Sequence, residues 1–235
     1  MDVNGCNIRL RDFNRIVFFT GAGLSAESGI PTYRGRGGVW HQYNYEEFAC
    51  QMAFDRDPEK VWDFHDVRRA RVAACEPNLA HRVIAEAQQG NPRTAVITQN
   101  IDGLLQRAGC RSVVELHGSL WRVRCSREGI VREDFSVPFR PRRCSCGAYW
   151  RPDIVWFGDM LDSGFLEAAM KALSECDLLV TIGTSAVVYP AADLPHYAFA
   201  RGVPSIEINP ELTIVSHLYT YSLRGKASET LAALW

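Results

Sequence analysis

Three short polar clusters each follow an apolar, β-branched run, the place where an open α/β sheet presents ligand-binding groups. The first is Gly21-Ala22-Gly23-Leu24-Ser25-Ala26, after the run Arg15–Thr20. Glycines in such a turn let the backbone approach a diphosphate at a helix N-terminus, although many turns of this kind serve only the fold. A dehydrogenase would continue its helix into a second strand, with an acidic residue about 20 positions on. Here Ser28-Gly29-Ile30-Pro31 stops the helix, and a glycine- and aromatic-rich loop carrying Arg34 follows. Hydride transfer loses ground. The second cluster is Gln99, Asn100, Ile101 and Asp102 after Thr94–Thr98, a mix of donors and acceptors suited to ribose hydroxyls and a carboxamide, or to an Asx-type helix cap. The third is Glu115-Leu116-His117-Gly118-Ser119, which sets a histidine at a strand end before a glycine, where a general base can be approached.

These clusters need a sheet to carry them. Runs at 15–20, 94–98, 113–116, 178–182 and 205–208 read as buried parallel strands, with helices over 59–75, 77–89 and 165–175 between them. Pro77 suits a first helical position and Gly90 a C-terminal stop. The alternation predicts an α/β fold, a doubly wound parallel Rossmann-like sheet. Residues 32–58 and 121–152 break it and read as insertions that build a smaller lobe, with the ligand cleft between the two. The boundaries expected on this reading are 1–31, 77–118 and 153–235 for the large lobe, and 32–76 with 119–152 for the small one.

Composition closes off other classes. The chain has 235 residues, 23% charged and 47% hydrophobic, and 26 basic against 27 acidic side chains give a formal charge of -1. That is globular, with no field to recruit nucleic acid or membrane. The first residues lack the apolar centre of a signal peptide, and no apolar run approaches the roughly 20 residues of a membrane span. A cytoplasmic, monomeric protein is expected. Of the eight cysteines only Cys144 and Cys146 stand close together, which suggests a reducing compartment and one metal site.

Taken in order, GAGLSAESGIPTYRG, TQNIDGLLQRAG, ELHGS, RPDIVWFGD, VTIGTSAVVYPA and GKASETL resemble the sirtuins, NAD-dependent protein-lysine deacylases, over nearly the whole chain. Tyr33 stands where phenylalanine is common in that family and Asp159 where glutamate is, both mild changes. The resemblance implies that NAD is a consumed co-substrate. Gly21, Ala22, Gly23, Ser25 and Arg34 would hold its diphosphate and cover the nicotinamide pocket. Gln99, Asn100, Ile101 and Asp102 would meet the nicotinamide and its ribose, with Asn100 taking part in catalysis. Gly183, Thr184, Ser185, Asn209 and Ala227 would hold the adenosine half. Attack of the acyl oxygen on the ribose carbon releases nicotinamide and leaves an O-alkylimidate; His117 then acts as base on the ribose hydroxyl, which attacks the imidate carbon, and water completes the collapse to lysine and O-acyl-ADP-ribose. The segment Ile154–Gly158, with Val155, Trp156, Phe157 and Gly158, would pair with an extended acyl-lysine peptide as an added strand.

The stretches PTYRGRGGVW, VWDFHDVRRARV and EPNLAHRVIAEA look like class III sirtuins, which remove succinyl and malonyl groups. That group pairs a tyrosine with an arginine around the acyl carboxylate and leaves room with an alanine. Here Arg68 and Ala49 match, while His65 takes the tyrosine's place, so an acidic or bulky acyl chain is expected. Outside the resemblance, Arg68 would read as a solvated helix arginine. Sirtuins also commonly hold a structural zinc on four cysteines; this chain offers Cys125, Cys144 and Cys146, one short, with the fourth ligand open. The other five cysteines read as packing residues. Two other readings stay open: an NAD hydrolase or ADP-ribosyltransferase on the same fold, and a nucleotide-sensing module without turnover.

Overall fold

Runs rich in valine, isoleucine and leucine favour extended backbone, and those covered on both faces carry no polar alternation. In the computed structural model, which describes residues 5–33 and 38–235, they are strands β1 (Ile16–Thr20), β2 (Ala95–Thr98) and β3 (Val114–Glu115), then β4 (Gly118–Cys125), β5 (Val131–Glu133), β6 (Trp150–Ile154), β7 (Leu178–Ile182), β8 (Ser205–Asn209) and β9 (Tyr221–Arg224). Six form an all-parallel sheet in the order β3-β2-β1-β7-β8-β9. This is the doubly wound arrangement, and its order reverses between β1 and β7, where ligands bind beyond the strand C-termini. Thr20 is in register with Thr98 on one side and Ile182 on the other, so the following turns open at one level.

Every residue of β1 and β7 is buried. Phe18 points into a core built with the helices Leu79–Gly90 and Ala227–Leu234, and Val17 and Phe19 into one built with the helix Ser163–Glu175. The helix over 77–89 begins later than expected. Asn78 is its N-cap, accepting from Ala80 N and His81 N, while His81 Nδ1 accepts from Asn78 N in a reciprocal box. Pro77 therefore lies outside the helix. The sixth strand, β9, was not foreseen, because YSLR is short and only Leu223 is buried.

The smaller lobe has its own antiparallel sheet, β5-β4-β6, against the helix Pro58–Ala73. Trp62 stacks on Phe139 at 4.4 Å and donates to Trp150 O at 2.6 Å. Arg69 is 1% exposed, and its guanidinium donates to the carbonyls of Leu120, Asp134 and Ser136. Those carbonyls belong to irregular chain after β5 and to β4, so one cation satisfies backbone acceptors that no ladder reaches. The loop-rich stretch before this helix contains three short helices, Val39–Gln42, Tyr45–Phe48 and Gln51–Arg56. No helix among the described residues is long and apolar enough to cross a membrane.

Candidate active site

The turns after β1 and β7 cross closely. Gly23 N donates to Gly183 O at 2.8 Å, and a Cβ on Gly23 would meet Gly183 Cα at 2.6 Å. A Cβ on Gly21 would meet Gly183 O at 2.7 Å, and Gly183 itself has φ +62°, so side chains are excluded from this floor. A cavity of about 680 Å³ opens above it, large enough for a dinucleotide. Gly21, Ala22, Gly23, Gly183, Thr184, Ser185 and Asn209 line it, as do the unforeseen lips Val188–Pro190 and Pro210–Ile214. Asn209 donates to Thr184 O at 2.7 Å and Gln99 to Thr184 Oγ1 at 3.0 Å, which ties the strand-end loops together. Behind the second lip, Glu207 is 1% exposed. Burial pushes its carboxyl up, but hydrogen bonds from Ser216, Ser222, Thr213 and Arg224 outweigh that and hold it below the usual range.

Asn100 and its neighbours form the wall. Asn100 Nδ2 donates to Gly21 O at 3.0 Å and to Ser25 Oγ at 3.2 Å, leaving the amide oxygen to face the cavity that Asn100 lines. Because Gly21 O can only accept, the amide orientation is determined. Ser25 Oγ donates to Asp102 Oδ2 at 2.7 Å and accepts from His81 Nε2 at 3.3 Å, since His81 Nδ1 already accepts from the backbone. Burial pushes His81 down to about 4, so it is neutral, and burial also raises Asp102 despite bonds from Leu104 N and Ser25. Ser25 and Asp102 thus stand behind the wall as braces rather than in the cavity. Asp102 also caps its turn through Leu104 N at 2.8 Å, so the cap and the site role coincide. Ile101 and Gln99 line the cavity. Ala227 does not; it is 7% exposed and packs in the core at the start of its helix. Arg34 lies outside the described residues.

His117 lines the same cavity where the chain leaves β3 for β4. Its Nδ1 is 3.0 Å from Gln99 O, and a carbonyl only accepts, so Nδ1 carries the proton and Nε2 offers a lone pair. Burial lowers the imidazole below 6.5, against the opposing pull of the Gln99 carbonyl. A neutral, oriented imidazole is a general base at neutral pH.

The far end of the cavity lies in the smaller lobe. Ala49, His65 and Arg68 line it with Tyr33 and Trp40. Arg68 donates to the Tyr33 hydroxyl and sits over the Tyr33 ring at 5.1 Å and the Phe64 ring at 5.5 Å. The pairing with Tyr33 was not anticipated, since the two are 35 residues apart in sequence. Ile154, Val155, Trp156, Phe157 and Gly158 form one side of the opening. The strand ends at Ile154, and the following N–H groups are already engaged: Val155 with His117 O at 3.0 Å, Trp156 with Asp159 at 3.2 Å, Phe157 with Ala49 O at 3.0 Å. A peptide added here would find the carbonyls of Val155 and Phe157, which carry no intramolecular bond among the described residues.

Away from the cavity, Cys125, Cys144 and Cys146 converge with Glu128, one ligand atom from each lying within 4.8 Å of the others. Cys125 Sγ is 3.5 Å from Cys146 Sγ, and Cys144 Sγ is 3.6 Å from Glu128 Oε2. Three thiols and a carboxylate at this spacing fit a tetrahedral structural zinc. Each side turns on a glycine in the left-handed region, Gly129 at φ +69° and Gly147 at φ +84°. Glu128 is placed to be the fourth ligand that the cysteine count leaves open, and its signal is Cys-x-x-Glu where Cys-x-x-Cys is sought. Cys6, Cys50, Cys110 and Cys176 are buried packing residues as expected; Cys75 is half-buried.

Comparison with known proteins agrees with this geometry. The Sir2 family matches residues 21–190. An NAD-dependent protein deacylase from Archaeoglobus fulgidus is 46% identical over 93% of this chain and 91% of its own length. The mitochondrial NAD-dependent protein deacylase sirtuin-5 of Canis lupus familiaris is 41% identical over 92% of this chain and 79% of its own length. A solved Sir2 homologue in complex with NAD superposes with a TM-score of 0.88 at 46% identity, covering 95% of this chain and 88% of that one. With a family model matched over most of the chain and relatives 46% and 41% identical over more than nine-tenths of it, the chain belongs to the Sir2 family of NAD-dependent protein deacylases.

Proposed function

We propose that this deacylase removes acyl groups ending in a carboxylate, succinyl or malonyl, from lysine side chains of protein substrates. The observation that carries this is Arg68. It is a half-buried cation in the smaller-lobe lining of the cavity, held by a phenol and two aromatic faces, with no carboxylate in ion-pair range among the described residues. A guanidinium so placed keeps its fork for an incoming anion, and Ala49 beside it leaves the room. NAD supplies the ribose carbon that accepts the acyl oxygen. The chain's own residues then have separable tasks. The Gly21–Gly23 floor admits the diphosphate, the Asn100 amide oxygen faces the nicotinamide ribose, and His117 Nε2 takes the proton of the ribose hydroxyl. Val155 and Phe157 receive the peptide backbone. A monomer acting in the cytoplasm, without nucleic acid or membrane, is part of the same proposal.

Mass spectrometry of products from NAD with acetyl-, malonyl-, succinyl- and lactyl-lysine peptides tests it. The acidic chains should give their O-acyl-ADP-ribose with the highest kcat/KM, and Arg68→Met should remove that advantage, by about tenfold or more for a charge-assisted contact. Unchanged succinyl removal in Arg68→Met would defeat the carboxylate grip. Equal nicotinamide release without any peptide would favour an NAD hydrolase instead.

A further inference from the structure

His65 is 1% exposed, and among the described residues neither ring nitrogen makes a well-aligned hydrogen bond, although the Phe48 backbone lies close to the ring. Buried polar groups are rarely left unpaired, and this one belongs to the lining of the ligand cavity. Its ring lies edge-on to Phe64 at 5.2 Å and stacks with Trp156 at 6.2 Å, so it cannot turn away to solvent. Arg68 follows one turn later on the same helix and lines the same end of the cavity. Two groups capable of binding one carboxylate thus face a single chamber, and only one of them is permanently charged.

We propose that His65 and Arg68 form a proton-linked acyl selector, in which a chain ending in a carboxylate binds with uptake of one proton from solvent at the imidazole. The proposal rests on the acidic-acyl reading of Arg68 given above. The surroundings set its direction. Burial, then the charge of Arg68, drive His65 well below its usual range; the Phe48 backbone opposes this, and Arg151 and Arg69 add to the depression. Arg151, on the neighbouring strand, is matched by Asp159 at 2.9 Å, and Arg69 is spent on Asp134 and backbone carbonyls. On the same helix Asp66 is engaged by Arg140 and Arg142. Among the described residues, therefore, no facing carboxylate stabilises the imidazolium until the acyl chain supplies one. Once it does, the protonated form is favoured. Between the two conditions the affinity for the acidic chain rises as pH falls, while a neutral chain, which leaves the imidazole unprotonated, shows no such linkage.

The test is the ratio of kcat/KM for succinyl- over acetyl-lysine peptide from pH 6 to 8.5. Both peptides share NAD and the His117 step, so titrations common to both cancel. The ratio should fall as pH rises, by up to about tenfold per pH unit inside the window, whereas the butyryl-to-acetyl ratio should stay flat. In His65→Gln the succinyl-to-acetyl ratio should lose its pH dependence. A flat ratio in the unmodified enzyme, which needs no variant to fold, overturns the selector, as does a slope that survives in His65→Gln. If acetyl is turned over and succinyl is not at any pH, the acidic-acyl reading itself fails and the selector with it.

Discussion

His117 can work as a base because its two ring nitrogens are already divided between two tasks. Gln99 O holds the proton on Nδ1, and the cavity receives Nε2. Since burial lowers its pKa, the unprotonated form persists into mildly acidic solution. The acid limb of kcat/KM for an acetyl peptide should therefore lie below pH 6.5, with activity lost as pH falls through it. A pH–rate profile checks this; a limb at or above 6.5 would contradict a buried, neutral base. His117→Ala should abolish deacylation while NAD still binds, because no contact holding the glycine floor passes through that ring. Asn100 depends on residues that touch no ligand. Ser25 Oγ accepts from its amide and from His81 Nε2 and donates to Asp102 Oδ2.

At the scale of elements, the knuckle between β4 and β6 is a short turn on each side, with Cys125 and Cys144 at the edge of the smaller lobe's core. A zinc bound there would be folding energy for the smaller lobe rather than a participant in proton transfer. Purified protein should carry one zinc, and chelation should lower the melting temperature before it alters the active-site residues. Glu128→Ala should weaken zinc binding by more than about tenfold, since even residues that only orient metal ligands cost that much. Competition against a chelator measures it, and unchanged affinity would remove Glu128 from the ligand set. The loops that form the nucleotide lips behave differently: they are held by hydrogen bonds to Glu207 and Thr184, not by metal.

At the scale of the molecule, the chain passes from the large sheet to the small one at His117-Gly118. Gly118 has φ +76°, and a Cβ there would fall 2.1 Å from Asp153 O, so the two sheets meet as closely as backbones allow. Arg122 on β4 spans the seam, donating to Glu115 of β3 and to Asp153 of β6 at 3.0 Å. Glu115 is 5% exposed, and burial raises its pKa even against the opposing pull of Arg122. Removing the cation would strand that carboxylate. Arg122→Met should cost about 3 kcal/mol of stability and should raise the KM for peptide, because the base and the peptide segment sit on opposite sides of this seam. Denaturant unfolding and steady-state kinetics test the two parts; a loss within about 0.5 kcal/mol would show that the bridge is solvated and weak.

The sequence by itself determined the parallel strands and the polar residues at their ends, because buried strands and glycine turns leave a local signature. It also carried the six ordered motifs of the family, and so the NAD-dependent activity. Periodicity could not show β9, a four-residue edge strand, or the start of the helix at Asn78, which depends on a reciprocal bond with His81. Tertiary structure alone decided which polar residues face the cavity and which stand behind it: Ser25 and Asp102 brace, Asn100 and His117 face inward, and Ala227 packs in the core. It alone supplied Glu128 as the candidate fourth metal ligand and Tyr33 as the partner of Arg68. It also turned His65 from a substituted tyrosine into a buried imidazole with no well-aligned hydrogen bond among the described residues. Spacing along a chain records which groups are near one another in sequence, but burial and the direction of each donor follow only when distant segments are packed together.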